Sequence, residues 1–167
     1  LMKRLEGRTA LITGAARGLG AQIARRFVDE DANVIINDLS IAAAQATADE
    51  LGGQALACDV SDSVAVQAMF ERVAELTDGL DILVNNAGIA ATGKLNELDQ
   101  EDIDNMVSLN IVALTRLTRH FVHLMTQRGS GRILNVASVA AFQPVPTMSV
   151  YAASKALGRS PTEGKEE

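Results

Sequence analysis

The segment Thr9-Ala10-Leu11-Ile12-Thr13-Gly14-Ala15-Ala16-Arg17-Gly18-Leu19-Gly20 constrains the fold more than any other part of the chain. An apolar run stops at Gly14, glycines return at Gly18 and Gly20, and apolar residues then recur at Ile23, Ala24, Phe27 and Val28. That pattern reads as strand, tight turn, amphipathic helix. Gly14 can take backbone angles that a Cβ forbids. Gly18 and Gly20 are expected to let the helix start lie close to the strand and to leave room for phosphate groups. The free N–H groups of that helix start, at Gly18, Leu19 and Gly20, sit at the positive end of its dipole and suit an anion. The spacing is Gly-x-x-x-Gly-x-Gly, not the common Gly-x-Gly-x-x-Gly, and a glycine-rich turn can be plain structure. The rest of the chain decides between the two readings.

Four more short apolar runs follow, alternating with helical patterns. Asn33 to Asp38 reads as a second strand with a carboxylate at its C-terminal end. An acid there can accept hydrogen bonds from both hydroxyls of an adenosine ribose and repels a 2′-phosphate, which favours NAD over NADP. Its plainer reading is a helix cap or a loop acid. Arg17 pulls toward a 2′-phosphate, but Leu39 adds no second cation, so Asp38 carries more weight. Ile41 to Leu51 is an alanine-rich helix closed by Gly52-Gly53. Gln54 to Cys58 is a third strand, followed by Asp59-Val60. Asp62 or Ser61 can cap the next helix, whose Val66, Met69, Phe70 and Val73 belong to the core. Leu80 to Val84 is a fourth strand, leading into Asn85-Asn86-Ala87-Gly88, a sequence suited to a chain that bends close to a ligand. A helical pattern from about Glu101 to Gln127 carries the stripe Ile111, Leu114, Leu117, Phe121 and Leu124, with Asn110 inside it against its helix preference. Arg132 to Ala137 is a fifth strand ending at Ser138.

Such alternation calls for an α/β fold, a doubly wound parallel sheet with helices on both faces. Ligands in such sheets bind beyond the C-terminal strand ends, where Gly14, Asp38, Asp59, Asn85 and Ser138 all fall. At 167 residues and 47% hydrophobic, the chain is most simply one domain with an ample core. A net charge of −6 argues against nucleic acid as a partner. No apolar run approaches the roughly 18 residues of a membrane helix. Cys58 is the only cysteine, so no internal disulfide forms, which fits a reducing cytoplasm. His120 and His123 lie beside Phe121 and Leu124 and are expected as packing or surface side chains; metal ligation would need further partners.

Tyr151-Ala152-Ala153-Ser154-Lys155 opens a sixth helical pattern. A spacing of four puts Tyr151 and Lys155 on one face. A phenol ordinarily ionises near ~10, so acid–base work at neutral pH calls for a neighbouring cation. With these residues in place, the chain resembles the short-chain dehydrogenase/reductase family, of the NAD(P)-dependent Rossmann type. The matching pieces are Thr13-Gly14-x-x-x-Gly18-x-Gly20, Asp59-Val60, Asn85-Asn86-Ala87-Gly88, Asn110, Ser138 and Tyr151-x-x-x-Lys155, in the family's order from residue 5 to about residue 160.

The resemblance implies roles. Tyr151 would be the general acid/base on an alcohol or ketone oxygen. Lys155 would assist it and hold the nicotinamide ribose, and Ser138 would hydrogen-bond the reacting oxygen. Asn110 would hold a water linking Lys155 to solvent. Asp59 and Val60 would contact adenine, and Asn86, Ala87 and Gly88 would border the adenosine ribose. The resemblance also implies a homo-oligomer built on the long helices. Family members continue with two more strands and a loop over the substrate. Here Gly158, Pro161 and Gly164 disfavour a continued helix, so residues 158–167 are expected as an irregular tail, and the sheet as lacking the family's C-terminal strands. Two alternatives to a working oxidoreductase therefore stand: an NAD-binding module without turnover, or a non-catalytic fragment associating with partner subunits.

Overall fold

The computed structural model describes residues 3–158; Pro161, Gly164 and most of the expected tail lie outside them. The elements run β1 (Thr9–Ile12), α1 (Gly18–Asp29), β2 (Asn33–Asp38), α2 (Ile41–Leu51), β3 (Gln54–Ala57), α3 (Ser63–Leu76), β4 (Ile82–Asn85), α4 (Gln100–Val107), a π-helical turn (Ser108–Ala113), α5 (Leu114–Arg128), β5 (Arg132–Asn135), a 3-10 turn (Val139–Ala141) and α6 (Ser149–Leu157). All strands are parallel, in the order β3-β2-β1-β4-β5. The order reverses between β1 and β4, which leaves a crevice beyond their C-terminal ends.

Alternation along the strands feeds two cores. Leu11, Ile35 and Leu83 face one side and pack with Val66, Met69 and Phe70 of α3 and Leu117 and Phe121 of α5. Ala10, Ile12, Val34, Ile36, Ile82 and Val84 face the other and pack with Ala24 of α1 and Ala44 and Ala48 of α2. Helices thus cover both faces, as the alternating pattern implies. On β5, Leu134 remains 44% exposed.

Helix starts follow local chemistry. Ser40 caps α2 by accepting from the Ala43 N–H, and Asp62 caps α3 by accepting from Val64 and Ala65. Gly52 and Gly129 close α2 and α5 in the left-handed conformation. Asp38 is therefore not the α2 cap.

The long helix expected from Glu101 to Gln127 is not one α-helix. It is α4 and α5 joined by the π turn, which adds a residue to the helical register. The inward line becomes Met106, Asn110, Ala113, Leu117, Phe121 and Met125. Ile111 and Leu114 are half-buried and Leu124 is 46% exposed, so the expected stripe is corrected at those positions. His120 stacks on Phe70 at 3.5 Å between ring centroids, a packing role. Burial, then the neighbouring His123, lowers its pKa.

Candidate active site

The glycine turn between β1 and α1 is held from three sides. From β4, the Thr13 hydroxyl accepts from the Asn86 and Ala87 N–H groups. The Asn86 side-chain amide donates to the Thr13 and Gly14 carbonyls at 2.9 and 3.0 Å. From β2, the Asn37 carbonyl accepts from the Ala15 N–H, and Asp38 Oδ2 accepts from the Ala16 N–H at 3.2 Å. From α2, the Thr47 hydroxyl donates to the Ala16 carbonyl at 2.8 Å.

The glycines divide their tasks differently from the sequence expectation. Gly14 and Gly18 both have φ of +60°. A Cβ on Gly18 would meet open space, so its requirement is conformational. Close packing belongs to Gly20, whose Cβ would fall 2.6 Å from the Gly14 carbonyl oxygen. α1 begins with no side-chain cap on Arg17 and no acid in its first turn. A helix start of this kind has leading N–H groups that can suit an external anion.

A cleft of about 230 Å³ opens beside this turn. Gly14, Arg17, Asp38, Asp59, Val60, Asn86, Ala87 and Gly88 all line it, so eight of the expected cofactor residues converge. Gly18, Leu19, Gly20, Tyr151 and Lys155 are not among its lining. Leu19, at the helix start, is 58% exposed. Asp38 also accepts from the Leu39 N–H at 2.9 Å. Asp59 Oδ1 accepts from the Ser61 N–H and hydroxyl. Cys58 lies in the cleft wall with its thiol pKa pushed up to about 11, by burial first and then by Asp59 and Asp62. Asn85 does not face a ligand: its amide turns back into the fold and donates to Thr118 and to Asn135.

Behind Gly88, at the edge of the cleft, lies Lys155 of α6. Gly88 lines the cleft, and a Cβ on it would fall 2.8 Å from Lys155 Nζ and 3.1 Å from Asn110 Oδ1. Lys155 is 8% exposed and donates to the Val136 carbonyl at 3.1 Å. Burial lowers its pKa from the ordinary 10.5. Asn110 Oδ1 accepts from the Ile89 N–H, while its Nδ2 donates to the Ile89 carbonyl and to Ser154 Oγ. Ser154 in turn donates to the Tyr151 carbonyl at 2.8 Å. A π turn that points Asn110 inward thus joins the segment after β4 to the helix carrying Tyr151 and Lys155. Ser138 lies three residues beyond the end of β5, which is shorter than expected. Its Oγ accepts from the Ala140 N–H, and among the described residues its hydroxyl hydrogen meets no acceptor, so it can donate outward.

The sequence profile described as short chain dehydrogenase matches residues 8–164. The chain belongs to the short chain dehydrogenase family. Among relatives, it is 38% identical over 160 residues to the ketoacyl reductase HetN of Nostoc sp., covering 93% of this chain and 56% of that protein. Among solved structures, a 7α-hydroxysteroid dehydrogenase complexed with NADH and 7-oxo glycochenodeoxycholic acid is 34% identical with a TM-score of 0.86, covering 94% of this chain and 63% of that one. A gluconate 5-dehydrogenase from Burkholderia cenocepacia with NADP and tartrate is 32% identical with a TM-score of 0.84, covering 93% and 63%. The chain spans about three-fifths of the length of the curated relatives it matches.

Several residues that shape the site carry no strong sequence signal of their own. Asn37, directly after the apolar run Val34-Ile35-Ile36 of β2, donates to the Leu56 and Cys58 carbonyls and ties β2 to β3 at the cleft. A polar residue inside a buried run is the signal that could have singled it out. Thr47 and Ser154 are small hydroxyls on helices rich in alanine, and only the fold shows what they reach. Leu109 enters the cleft wall from the π turn.

Proposed function

We propose that the protein is an NAD-dependent oxidoreductase acting on an alcohol or ketone, with Tyr151 as general acid/base. The observation that carries this reading is Lys155. Its ammonium is buried beside the cleft, and no carboxylate among the described residues pairs with it. A buried cation with one carbonyl partner needs further acceptors. Ribose hydroxyls in the cleft would supply them.

Fit with a dinucleotide rests on three features of this chain. The turn is too tight for side chains at Gly14 and Gly20, α1 starts without its own anion, and Asp38 stands at the end of β2 facing the cleft. Gly14 to Gly20 would take the phosphates, Asp38 the adenosine ribose, Asp59 and Val60 the adenine, and Lys155 the nicotinamide ribose. A bound nicotinamide supplies the hydride chemistry. The protein handles the proton. Tyr151 Oη gives it to, or takes it from, the substrate oxygen, with the Lys155 charge on the same helix face. Ser138 donates its free hydroxyl hydrogen to that oxygen. Asn110 holds the Ile89 segment and α6 in place, and the second lone pair of its Oδ1 is available for a water beside Lys155. From Ser138 to Val150 the chain carries no charged residue, which favours a neutral reacting group.

Asp38 favours NAD, although similar proteins hold NADH in one case and NADP in another. The chain is read as a single domain, residing in the cytoplasm and forming homo-oligomers. Val112, Val122 and Leu124 on the π turn and α5, each at least 40% exposed, offer apolar surface for association.

The test is Tyr151→Phe, followed by nicotinamide absorbance with a panel of alcohols and ketones. The rate should fall by about 10²–10⁴-fold with dinucleotide affinity kept. A variant retaining more than about a tenth of the rate would overturn the role. Binding of NAD without turnover by the unaltered chain would favour the binding-module reading.

A further inference from the structure

We infer that Thr47, in the middle of α2, is a positioning residue for the nucleotide's phosphates, acting through the Arg17 N–H; this rests on the nucleotide reading of the cleft. Thr47 is 7% exposed in a helix otherwise dominated by alanine. A threonine there propagates the helix less well than alanine. A buried helical hydroxyl commonly bonds back to the carbonyl four residues earlier. The Thr47 hydroxyl instead leaves its own helix and donates to the Ala16 carbonyl, 31 residues away in sequence, at 2.8 Å.

That carbonyl belongs to the Ala16–Arg17 peptide. In a planar trans peptide the C=O and the N–H point in opposite directions. Holding the Ala16 oxygen toward α2 therefore turns the Arg17 N–H the other way, at the start of α1. Among the described residues this N–H makes no hydrogen bond. The preceding peptide is fixed too, because the Ala16 N–H donates to Asp38. Both peptides flanking the Ala16 Cα are thus clamped by the segment from Asp38 to Thr47. Asp38 can read the adenosine ribose, while Thr47 has no ligand-reading task of its own. Its effect should fall on the phosphates alone and be blind to the 2′ position.

The experiment is calorimetric titration of the full chain and its Thr47→Val variant with ADP, NAD and NADP, with adenosine measured by competition. All titrations are run at a temperature where each protein is folded. Losing one hydrogen bond's worth of orientation predicts a fall of about 2- to 10-fold for ADP, NAD and NADP alike. Adenosine affinity should stay unchanged, and Thr47→Ser should restore the others. A lower melting temperature with unchanged ADP affinity would show a purely structural residue and overturn the inference. So would an equal loss for adenosine. If Thr47→Val does not fold, Thr47→Ala removes the same hydroxyl and is read by the same criteria. Failure of the unaltered chain to bind ADP at all would sink the nucleotide reading itself, a result distinct from any difference between the variants.

Discussion

Gly20→Ala tests whether the turn is as tight as its geometry requires. A methyl group at Gly20 would lie 2.6 Å from Asn86 Nδ2, 2.6 Å from the Gly14 oxygen and 2.9 Å from the Ala15 Cα. Two of those atoms are backbone, so a rotamer change cannot relieve the contact. Either the start of α1 moves off β1, or Asn86 gives up its bonds to Thr13 and Gly14. Overpacking of this kind costs about 1–3 kcal/mol. Glycine to alanine in an unobstructed helix would instead gain up to about 1 kcal/mol. With the full offset the net loss is then up to about 2 kcal/mol, or a melting temperature lower by up to roughly 8 °C for a chain of this size. ADP affinity should fall about tenfold if the glycine turn holds the phosphates as proposed, since the displaced groups form that turn. Gly18→Ala is the control. Its Cβ meets open space at a φ of +60°, so it carries only the left-handed penalty of about 1–2 kcal/mol. Thermal melts and ADP titrations on both variants give the comparison. A Gly20→Ala protein as stable as the original, with unchanged ADP affinity, would refute the packing argument.

The remaining predictions concern charge. Asp38→Ala should narrow the preference for NAD over NADP and weaken both, because the same carboxylate holds the Ala16 N–H; isothermal titration at one salt concentration checks this, and a variant that binds NAD as before would contradict it. Lys155→Met should stabilise the nucleotide-free protein in a pH-dependent way. Burial lowers the folded-state pKa below the ordinary 10.5, so the unfolded chain binds more protons between the lowered value and 10.5. The original protein therefore gains stability as pH rises through that window, and the full penalty applies below it. Urea midpoints should show the advantage of Lys155→Met largest at neutral pH and shrinking toward pH 10.5; an advantage that grows with pH would contradict the assignment.

The sheet was legible because its central strands, β1, β2 and β4, are buried on both faces. Runs such as Val34-Ile35-Ile36 and Ile82-Leu83-Val84 leave little alternative to a parallel sheet with helices on either side. The ligand end was legible for the same reason: a strand cannot continue through Gly14, Asp38 or Asn85-Asn86 without losing its apolar pattern. What composition could not resolve was which of two like residues does which task. Gly18 and Gly20 look alike in sequence, yet one needs only a left-handed backbone while the other cannot carry a Cβ. Asn85 and Asn86 are also alike, yet one amide ties β4 to β5 and α5 while the other ties the glycine turn.

The π turn explains why the helix carrying Asn110 was harder to read. Apolar periodicity across Ser108–Ala113 fits an α-helix nearly as well as a wider one, because a single added residue rotates the following face by only part of a turn. The decisive contacts lie elsewhere: Asn110 is drawn inward by both peptide groups of Ile89 and by Ser154. None of those partners is within helical reach in sequence. A mid-helix asparagine signals that something competes with the regular helix, but what competes is visible only once the segment after β4 and α6 both reach Asn110. The same limit applies to Thr47, whose helix predicts only an alanine-like position. In both cases a polar side chain stands where an apolar one would serve the local element better. Its partner is the backbone of a segment that lines the cleft or, at Ala16, lies within the turn beside it. Local elements follow from pattern, whereas the rigidity of the site comes from side chains that leave their own element to hold another's peptide groups.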